Sequence, residues 1–222
     1  MEMTMQEAIR ARHSIRRYKD QPIDRDTAGR LQALIDALNE ESGLHLQLIL
    51  DDPQCFDTFL GHYGHFEHAD NYVAVIGKRT LPDLDERCGY YGQLLVLEAQ
   101  RMGLNTCWVG GTYGHGKCRA DKAAGEKIVC VISIGYGAYE GKPHPSKPLQ
   151  KLCAVPEADM PDWFKAGVEA ALLAPTALNQ QKFSISLVNG EAVIKAGFGV
   201  MTKLDLGIVK RNFELASGHK CR

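Results

Sequence analysis

The sequence predicts an α+β protein in which α/β-like mixed sheets are flanked by helices. Segments with the apolar spacing of helices alternate with short apolar segments typical of strands. Residues 127–135 are almost entirely apolar and β-branched, which indicates a central strand. An Asn-Gly pair at 189–190 lies between two strand-like segments and favours a type I′ hairpin turn.

Helices are predicted where apolar residues recur every three to four positions. They cover residues 3–12, 25–39, 84–102, 161–173 and 205–217. Asp24 is a candidate N-cap of the second helix, and Ser42-Gly43 closes it. Gly103 ends the third helix, and the fourth stops before Pro175.

Strands are predicted over short apolar segments bounded by turn-forming residues. They cover residues 44–50, 71–77, 106–109, 127–135, 183–188 and 192–196. The region 136–150 is rich in Gly, Pro, Lys and His and is predicted to be a loop.

Composition indicates a cytoplasmic globular protein. The 222 residues are 45% hydrophobic and 24% charged, with a net charge of −1, which argues against nucleic-acid or membrane binding. The seven cysteines are scattered without a Cys-x-x-Cys pair, which fits a reducing compartment better than a disulfide framework or a zinc site. The N-terminus has no apolar run and is not expected to be a signal peptide, and no segment has the 18 apolar residues of a membrane span.

A weak internal repeat relates the two ends of the chain. The apolar pattern of residues 44–49 matches residues 183–188 at an offset of 139 (183 − 44), and residues 90–99 match 207–216 at an offset of 117 (207 − 90). Coincidence between two helix–strand units is the alternative, and it is common in chains of this class.

The segment 12–18 (Arg-His-Ser-Ile-Arg-Arg-Tyr) concentrates positive charge. Arg12, Ser14 and Arg16 alternate, so an extended backbone places them on one side. Two guanidinium groups and a hydroxyl match phosphate oxygens, and each Arg–phosphate contact contributes roughly 4 kcal/mol before desolvation. The alternative is a solvated basic turn.

The segment 174–181 (Ala-Pro-Thr-Ala-Leu-Asn-Gln-Gln) joins a predicted helix to a predicted strand. Its hydroxyl and three carboxamides suit the edge of a heterocycle that carries both C=O and N–H groups, such as a flavin pyrimidine ring. The alternative is an ordinary polar loop.

These two segments, with Gly-Leu-Asn-Thr-Cys-Trp-Val-Gly at 103–110, resemble motifs of the FMN-dependent nitroreductase family. The resemblance implies that Arg12, Ser14 and Arg16 bind the FMN phosphate, with His13 beside them and Lys147 as a further cation. It also implies that Pro175, Thr176, Asn179 and Gln180 contact the flavin ring or ribityl chain. Gly110 and Gly111 would replace a family loop that has no clear counterpart here.

The order of the motifs is unusual for that family, whose members are homodimers with each flavin at the interface. The arginine motif occurs only early in this chain and the Asn-Gln-Gln motif only late. With the repeat, this implies a tandem-duplicated single-chain pseudo-dimer with halves 1–145 and 146–222 that mimic the family homodimer. One FMN per chain and a monomer are expected, and further dimerisation stays open.

The resemblance implies an FMN-dependent NAD(P)H oxidoreductase that transfers hydride through the flavin to a small conjugated electrophile, nitroaromatic or quinone-like. The flavin carries the chemistry, so no catalytic side chain is expected. The alternatives are a non-enzymatic flavin-binding protein, serving as sensor, store or regulatory partner, and a structural member without cofactor.

Three other sequence patterns are typical of different functional sites, and each is weaker evidence than the motifs above. Residues 111–118 nearly form a phosphate-binding loop, but Cys118 replaces its Ser/Thr. His62, His65 and His68 could share a helical face and bind a metal, although their neighbours favour a surface loop, so no metal is expected. Cys107, in an apolar strand, is predicted to be a buried inert thiol.

Overall fold

The computed structural model describes residues 3–222 and contains six helices and six strands. In chain order the elements are α1 (Met5–Ala11), α2 (Arg25–Ser42), β1 (Gln47–Ile49), α3 (Phe59–Tyr63), β2 (Tyr72–Lys78), α4 (Leu84–Arg101), β3 (Asn105–Val109), β4 (Glu126–Gly135), α5 (Asp162–Leu172), β5 (Phe183–Val188), β6 (Glu191–Ala196) and α6 (Thr202–Ser217). Every predicted helix and strand is present, with shifted ends.

The chain forms two compact units. The sheet unit comprises Arg12–Leu84 and Glu98–Lys142, and the helical unit comprises the described residues up to Ala11 with Asp85–Leu97 and Pro143–Arg222. The predicted halves 1–145 and 146–222 stay a prediction, as does the pseudo-dimer.

The sheet unit is organised around four strands in the order β1-β2-β4-β3. β4 lies between β2 and β3, as its apolar sequence predicted, and Val131 and Ile134 on it are buried. All pairs of named strands are antiparallel, whereas the sequence predicted mixed sheets. The parallel pairings in residues 3–222 are isolated bridges.

Local signals explain several boundaries. The Asp24 carboxylate caps α2 by accepting the Thr27 N–H at 2.9 Å, and Gly43 ends the helix with φ of +67°. Asn189 and Gly190 both have positive φ, as a type I′ turn requires, and join β5 to β6.

In the helical unit, α4 and α6 cross at two glycines. A Cβ on Gly89 would lie 2.0 Å from the Leu204 oxygen, and one on Gly207 would lie 1.9 Å from the Glu86 oxygen. The contacts are reciprocal, since each glycine meets the residue three positions before the other. Only glycine permits this approach of two helix backbones.

Candidate functional site

The arginine segment at residues 12–18 is extended and held by backbone hydrogen bonds within the sheet unit. Ile15 N donates to Thr106 O on β3 at 3.0 Å, and Ser14 forms a parallel bridge with the same residue. Further along, Tyr18 N donates to Glu67 O at 3.0 Å, and Glu67 N donates to Arg16 O at 3.1 Å. These bonds fix the direction of each side chain in the segment.

Arg12, Ser14 and Arg16 all lie near the thiol of Cys107. The charges of Arg16 and Arg12 lower the pKa of that thiol, and so does hydrogen bonding from the Ser14 and Arg16 side chains. Cys107 is buried, as predicted, and burial raises the pKa of its thiol despite the arginines. Two cations and a hydroxyl therefore surround one point of the sheet unit.

Arg12 is a buried cation, with only 5% of its surface exposed. Burial lowers the pKa of its guanidinium to about 10, because the charged form loses its hydration. Ser14 and Arg16 are exposed, so the cluster opens to solvent on their side. An anion binding there would offset the cost of burying the Arg12 charge.

The Tyr18 side chain links the arginine segment to β4 by hydrogen bonds. Its buried hydroxyl donates to Ile15 O at 2.7 Å and lies 2.7 Å from the Ser133 hydroxyl on β4. Since the single Tyr18 proton goes to Ile15, the Ser133 hydroxyl is the donor in the second bond. This anchor ties the arginine segment to the middle of the sheet.

The remaining candidates in the sheet unit flank this cluster or follow β3. His13 is half-buried, and a Cβ on Gly141 would lie 2.2 Å from the His13 Cβ, so a loop backbone packs directly against it. Gly110 and Gly111 follow β3 and are exposed. Their role as a replacement loop stays a prediction.

The carboxamide loop, residues 174–181, lies in the helical unit between α5 and β5. A single 3₁₀ turn spans Ala177–Asn179. Leu178, Asn179 and Gln181 have φ of +53°, +50° and +44°. Left-handed backbone at three non-glycine residues so close together is strained, and strain of this kind is concentrated at functional loops.

Gln181 is the centre of this loop and was not among the predicted site residues. Its buried carboxamide donates to Pro145 O at 2.8 Å and to Asn179 Oδ1 at 2.9 Å, and accepts Lys147 N at 2.8 Å. Its own N–H donates to Thr176 Oγ1 at 3.0 Å. The second glutamine of the Asn-Gln-Gln motif was the signal that could have found it.

Lys147 contacts the backbone of the same loop. Its Nζ donates to Gln180 O at 2.6 Å and to Gln181 O at 3.1 Å. Asn179 is exposed, and its Nδ2 donates to Pro145 O at 3.0 Å. The segment around Lys147 therefore holds the loop, and binding of phosphate by Lys147 stays a prediction.

Asp205, in the first turn of α6, orients the loop from its other side. Its carboxylate accepts the Ala177 N–H at 2.8 Å and Gln180 Nε2 at 3.0 Å. Burial raises the pKa of Asp205 to about 6, against the two hydrogen bonds that lower it. From the sequence, Asp205 was predicted only as the first residue of a helix. An acidic residue within an apolar helix was the signal that could have identified it as a site residue.

Pro175 and Thr176 are half-buried at the start of the loop. Predicted site residues thus fall into an arginine cluster in the sheet unit and a carboxamide loop in the helical unit. That both groups bind the same FMN stays a prediction.

The alternative motifs do not form the structures their chemistry needs. No α-helix follows Cys118 until Asp162, so residues 111–118 lack the helix of a phosphate-binding loop. His62 ends up in α3, whereas His65 and His68 follow it with positive φ, so the three do not share a helical face. Across residues 3–222, no three acidic, His or Cys side chains form a group that could hold a metal. Within the same range, no helix combines the length and apolar character needed to cross a membrane.

A family model described as "Putative TM nitroreductase" matches residues 4–217. The chain belongs to this family. None of the curated proteins compared with the chain matches it.

Solved structures show the same nitroreductase fold. A putative nitroreductase from Thermotoga maritima aligns with a TM-score of 0.72 at 21% identity, over 97% of this chain and 84% of that one. A putative nitroreductase from Desulfovibrio desulfuricans, in complex with FMN, aligns with a TM-score of 0.55 at 22% identity, over 72% of this chain and 100% of that one. Nitroreductase A from Vibrio parahaemolyticus aligns with a TM-score of 0.52 at 18% identity, over 72% of this chain and 78% of that one.

Proposed function

We propose that this nitroreductase-family chain binds FMN and is an oxidoreductase that passes hydride from NAD(P)H to a small conjugated electrophile, such as a nitroaromatic or a quinone. The convergence of Arg12, Ser14 and Arg16 on one point is the observation that carries the proposal. The Desulfovibrio relative of the same fold, which is in complex with FMN, supports the choice of cofactor.

The arginine cluster fits the phosphate of FMN. Arg12 is a buried cation whose pKa is lowered to about 10 by loss of hydration, and a dianion beside it would favour its charged form. Arg16 and Ser14 add donors on the exposed side of the cluster. Guanidinium groups bind phosphate oxygens bidentately, which gives both charge and orientation.

The carboxamide loop fits the polar edge of the flavin. Asn179 and Gln180 carry both donor and acceptor atoms, and contacts with Pro145 and Asp205 fix their amide groups in one orientation. Pro175 and Thr176, at the start of the loop, are assigned to the ring or ribityl chain by the family resemblance. Lys147 holds the loop backbone in place.

Bound FMN would supply two-electron chemistry, taking hydride from the nicotinamide and giving it to the acceptor. This chain's residues hold the phosphate and orient the ring. Donors fixed before the reaction stabilise negative charge without having to reorganise during it. The proposal assigns no side chain to proton transfer.

A titration of arginine variants with FMN tests the proposal. A charge-assisted hydrogen bond contributes about 1.5–3 kcal/mol, so replacing both Arg12 and Arg16 with Gln should raise the FMN Kd by at least about 100-fold. Arg17→Gln is the matched control, because Arg17 faces Tyr139 at 4.9 Å instead of the cluster. It should change the Kd less than about 3-fold.

Folding of each variant is checked by circular dichroism and thermal melting, and Arg16→Gln alone serves if the double variant fails to fold. Wild-type FMN occupancy in a folded variant that lacks these guanidinium groups would overturn the phosphate assignment. One FMN bound per chain is predicted, and two per chain would refute the single-chain pseudo-dimer.

Turnover separates the enzyme from a flavin-binding protein without activity. Steady NAD(P)H oxidation that depends on an added nitroaromatic or quinone is expected. Flavin that binds but is never reduced by NADH or NADPH would instead support a sensor or a store. Colourless protein whose melting temperature does not rise with FMN would contradict both, since a ligand of the folded state must stabilise it.

A further inference from the structure

Two cysteines of the sheet unit, Cys55 and Cys118, are neighbours in the same core cluster, outside both groups assigned to FMN. Cys55 ends a 3₁₀ turn and is fully buried, whereas Cys118 is half-buried at the end of a surface turn. Gly114 N donates to Cys55 O at 2.7 Å, and Cys118 N donates to Gly114 O at 3.0 Å. This backbone arrangement places the two cysteines side by side, with Cys118 packed against the core cluster that contains Cys55.

The surroundings of Cys118 favour its thiolate. The Cys55 thiol and the Ala120 N–H lower the pKa of Cys118 by hydrogen bonding, and the Tyr72 hydroxyl lies beside its sulfur. Tyr72 is itself held, because its hydroxyl donates to Asp52 Oδ2 at 2.6 Å and accepts the Arg119 N–H at 2.9 Å. Asp52 is the opposing group, since its nearby charge disfavours a thiolate.

The two thiols are thereby made unequal. Hydrogen bonding from Cys55 lowers the pKa of Cys118 to about 6, and the same pairing together with burial raises the pKa of Cys55 well above its usual value. A lowered pKa favours the thiolate, which is the nucleophilic form of cysteine. Cys118 would attack, and Cys55 stays protonated beside it.

We propose that Cys55 and Cys118 form a reversible disulfide when a hydroperoxide oxidises Cys118. The pair lies in a core cluster with Phe56 and Phe66, so the partner thiol is within reach of an oxidised Cys118 and shielded from other reagents. Cys118 is also the residue that departs from the phosphate-binding-loop pattern of residues 111–118.

The reaction balances in two steps. The Cys118 thiolate attacks the terminal peroxide oxygen and breaks the O–O bond, which gives a sulfenic acid and a hydroxide or alkoxide that takes a proton from solvent and leaves as water or an alcohol. The Cys55 thiol then loses its proton, its sulfur attacks the Cys118 sulfur, and the S–O bond breaks with release of water. Two thiols lose two electrons, the peroxide gains them, and an external thiol reverses the reaction.

Thiol counting on the full-length protein tests the proposal. The reduced chain should take up seven maleimide groups when unfolded, and the chain treated with one equivalent of hydrogen peroxide should take up five (7 − 2). Peptide mapping should find the peptides of Cys55 and Cys118 linked. The disulfide would close a 64-residue loop (118 − 55 + 1), and Tm should rise by roughly 5–15 °C.

Three variants assign the roles. Cys55→Ser should leave a sulfenic acid on Cys118 that dimedone traps, whereas Cys118→Ser should slow peroxide-dependent thiol loss at least about 10-fold. Cys221→Ser is the matched control: Cys221 is also half-buried, but burial raises its pKa to about 12, and its variant should form the disulfide like the wild type.

The wild-type measurement does not depend on whether the variants fold. Seven reactive thiols remaining after peroxide would overturn the proposal. A linkage that joins any other pair of cysteines would overturn it as well.

Discussion

Gly207→Ala tests the crossing of α4 and α6 most directly. An added Cβ would lie 1.9 Å from the Glu86 oxygen, whereas an ordinary contact is about 3.4 Å, so the helices must separate by about 1.5 Å. The buried hydrogen bond from Gln93 Nε2 to Asn212 Oδ1, now 2.9 Å, would not survive that movement. The substitution therefore disturbs the packing of the helical unit.

The magnitude follows from three contributions. Overpacking costs about 1–3 kcal/mol, and breaking a buried hydrogen bond costs about 1–3 kcal/mol. Alanine favours a helix over glycine by about 0.5–1 kcal/mol, which partly offsets these costs. We expect the free energy of unfolding to fall by about 2–4 kcal/mol, with Tm lower by about 5–15 °C.

Urea unfolding followed by circular dichroism measures this change, and Gly29→Ala is the matched control. Gly29 lies within α2, and a Cβ there has no atom within 4 Å, so the same substitution should stabilise by about 0.5–1 kcal/mol. The two substitutions should thus change the free energy of unfolding in opposite directions. If Gly207→Ala stabilises the protein as Gly29→Ala does, the helix backbones do not meet at this glycine.

Three further substitutions test the two candidate groups. Tyr18→Phe removes the hydroxyl that donates to Ile15 O. We expect the free energy of unfolding to fall by about 1–3 kcal/mol and the FMN Kd to rise. An unchanged Kd in calorimetric titration would rule out a positioning role for this hydroxyl. Gln181→Leu leaves the Lys147 N–H without its partner and removes one donor from the Pro145 carbonyl, which Asn179 Nδ2 still contacts, so urea unfolding should show a loss of about 1–3 kcal/mol. A loss below about 0.5 kcal/mol would mean that the loop does not depend on this amide. Asp205→Asn tests the buried carboxyl, which the folded state protonates more readily than the unfolded state. Wild-type stability relative to this variant should therefore fall by up to about 3 kcal/mol as pH rises from 4 to 6, and a difference that is constant with pH would contradict burial of the acid.

Sequence patterns predicted the elements well where the cause is local. Asp24, Gly43 and the Asn189-Gly190 pair specify their own backbone geometry, so the ends of α2 and the β5–β6 hairpin followed from a few adjacent residues. The start of α6 was missed by three residues, because Met201 precedes it in a left-handed conformation that no residue type there signals. β1 is shorter than its alternating pattern, although Leu44 and Leu46 are buried as the alternation indicated.

The candidate site was predictable only in part, since much of it depends on residues distant in sequence. Alternation placed Arg12, Ser14 and Arg16 on one side, but nothing local showed that Cys107 is the residue they face. Asp205 reaches the carboxamide loop across 28 positions, and Cys118 meets a cysteine 63 positions earlier (118 − 55). Such contacts are set by tertiary packing, which a single sequence does not reveal.

Cys107 is a native cysteine whose labelling rate can report local opening of the arginine segment, so no new cysteine has to be introduced. Cys107 is buried with Ser14 and Arg16 beside its thiol, so a thiol reagent can reach its sulfur only when this region opens locally. Its labelling rate in the native protein therefore reports the free energy of local opening at this point. Comparing that rate with and without FMN would show how much the ligand raises the free energy of local opening of the segment.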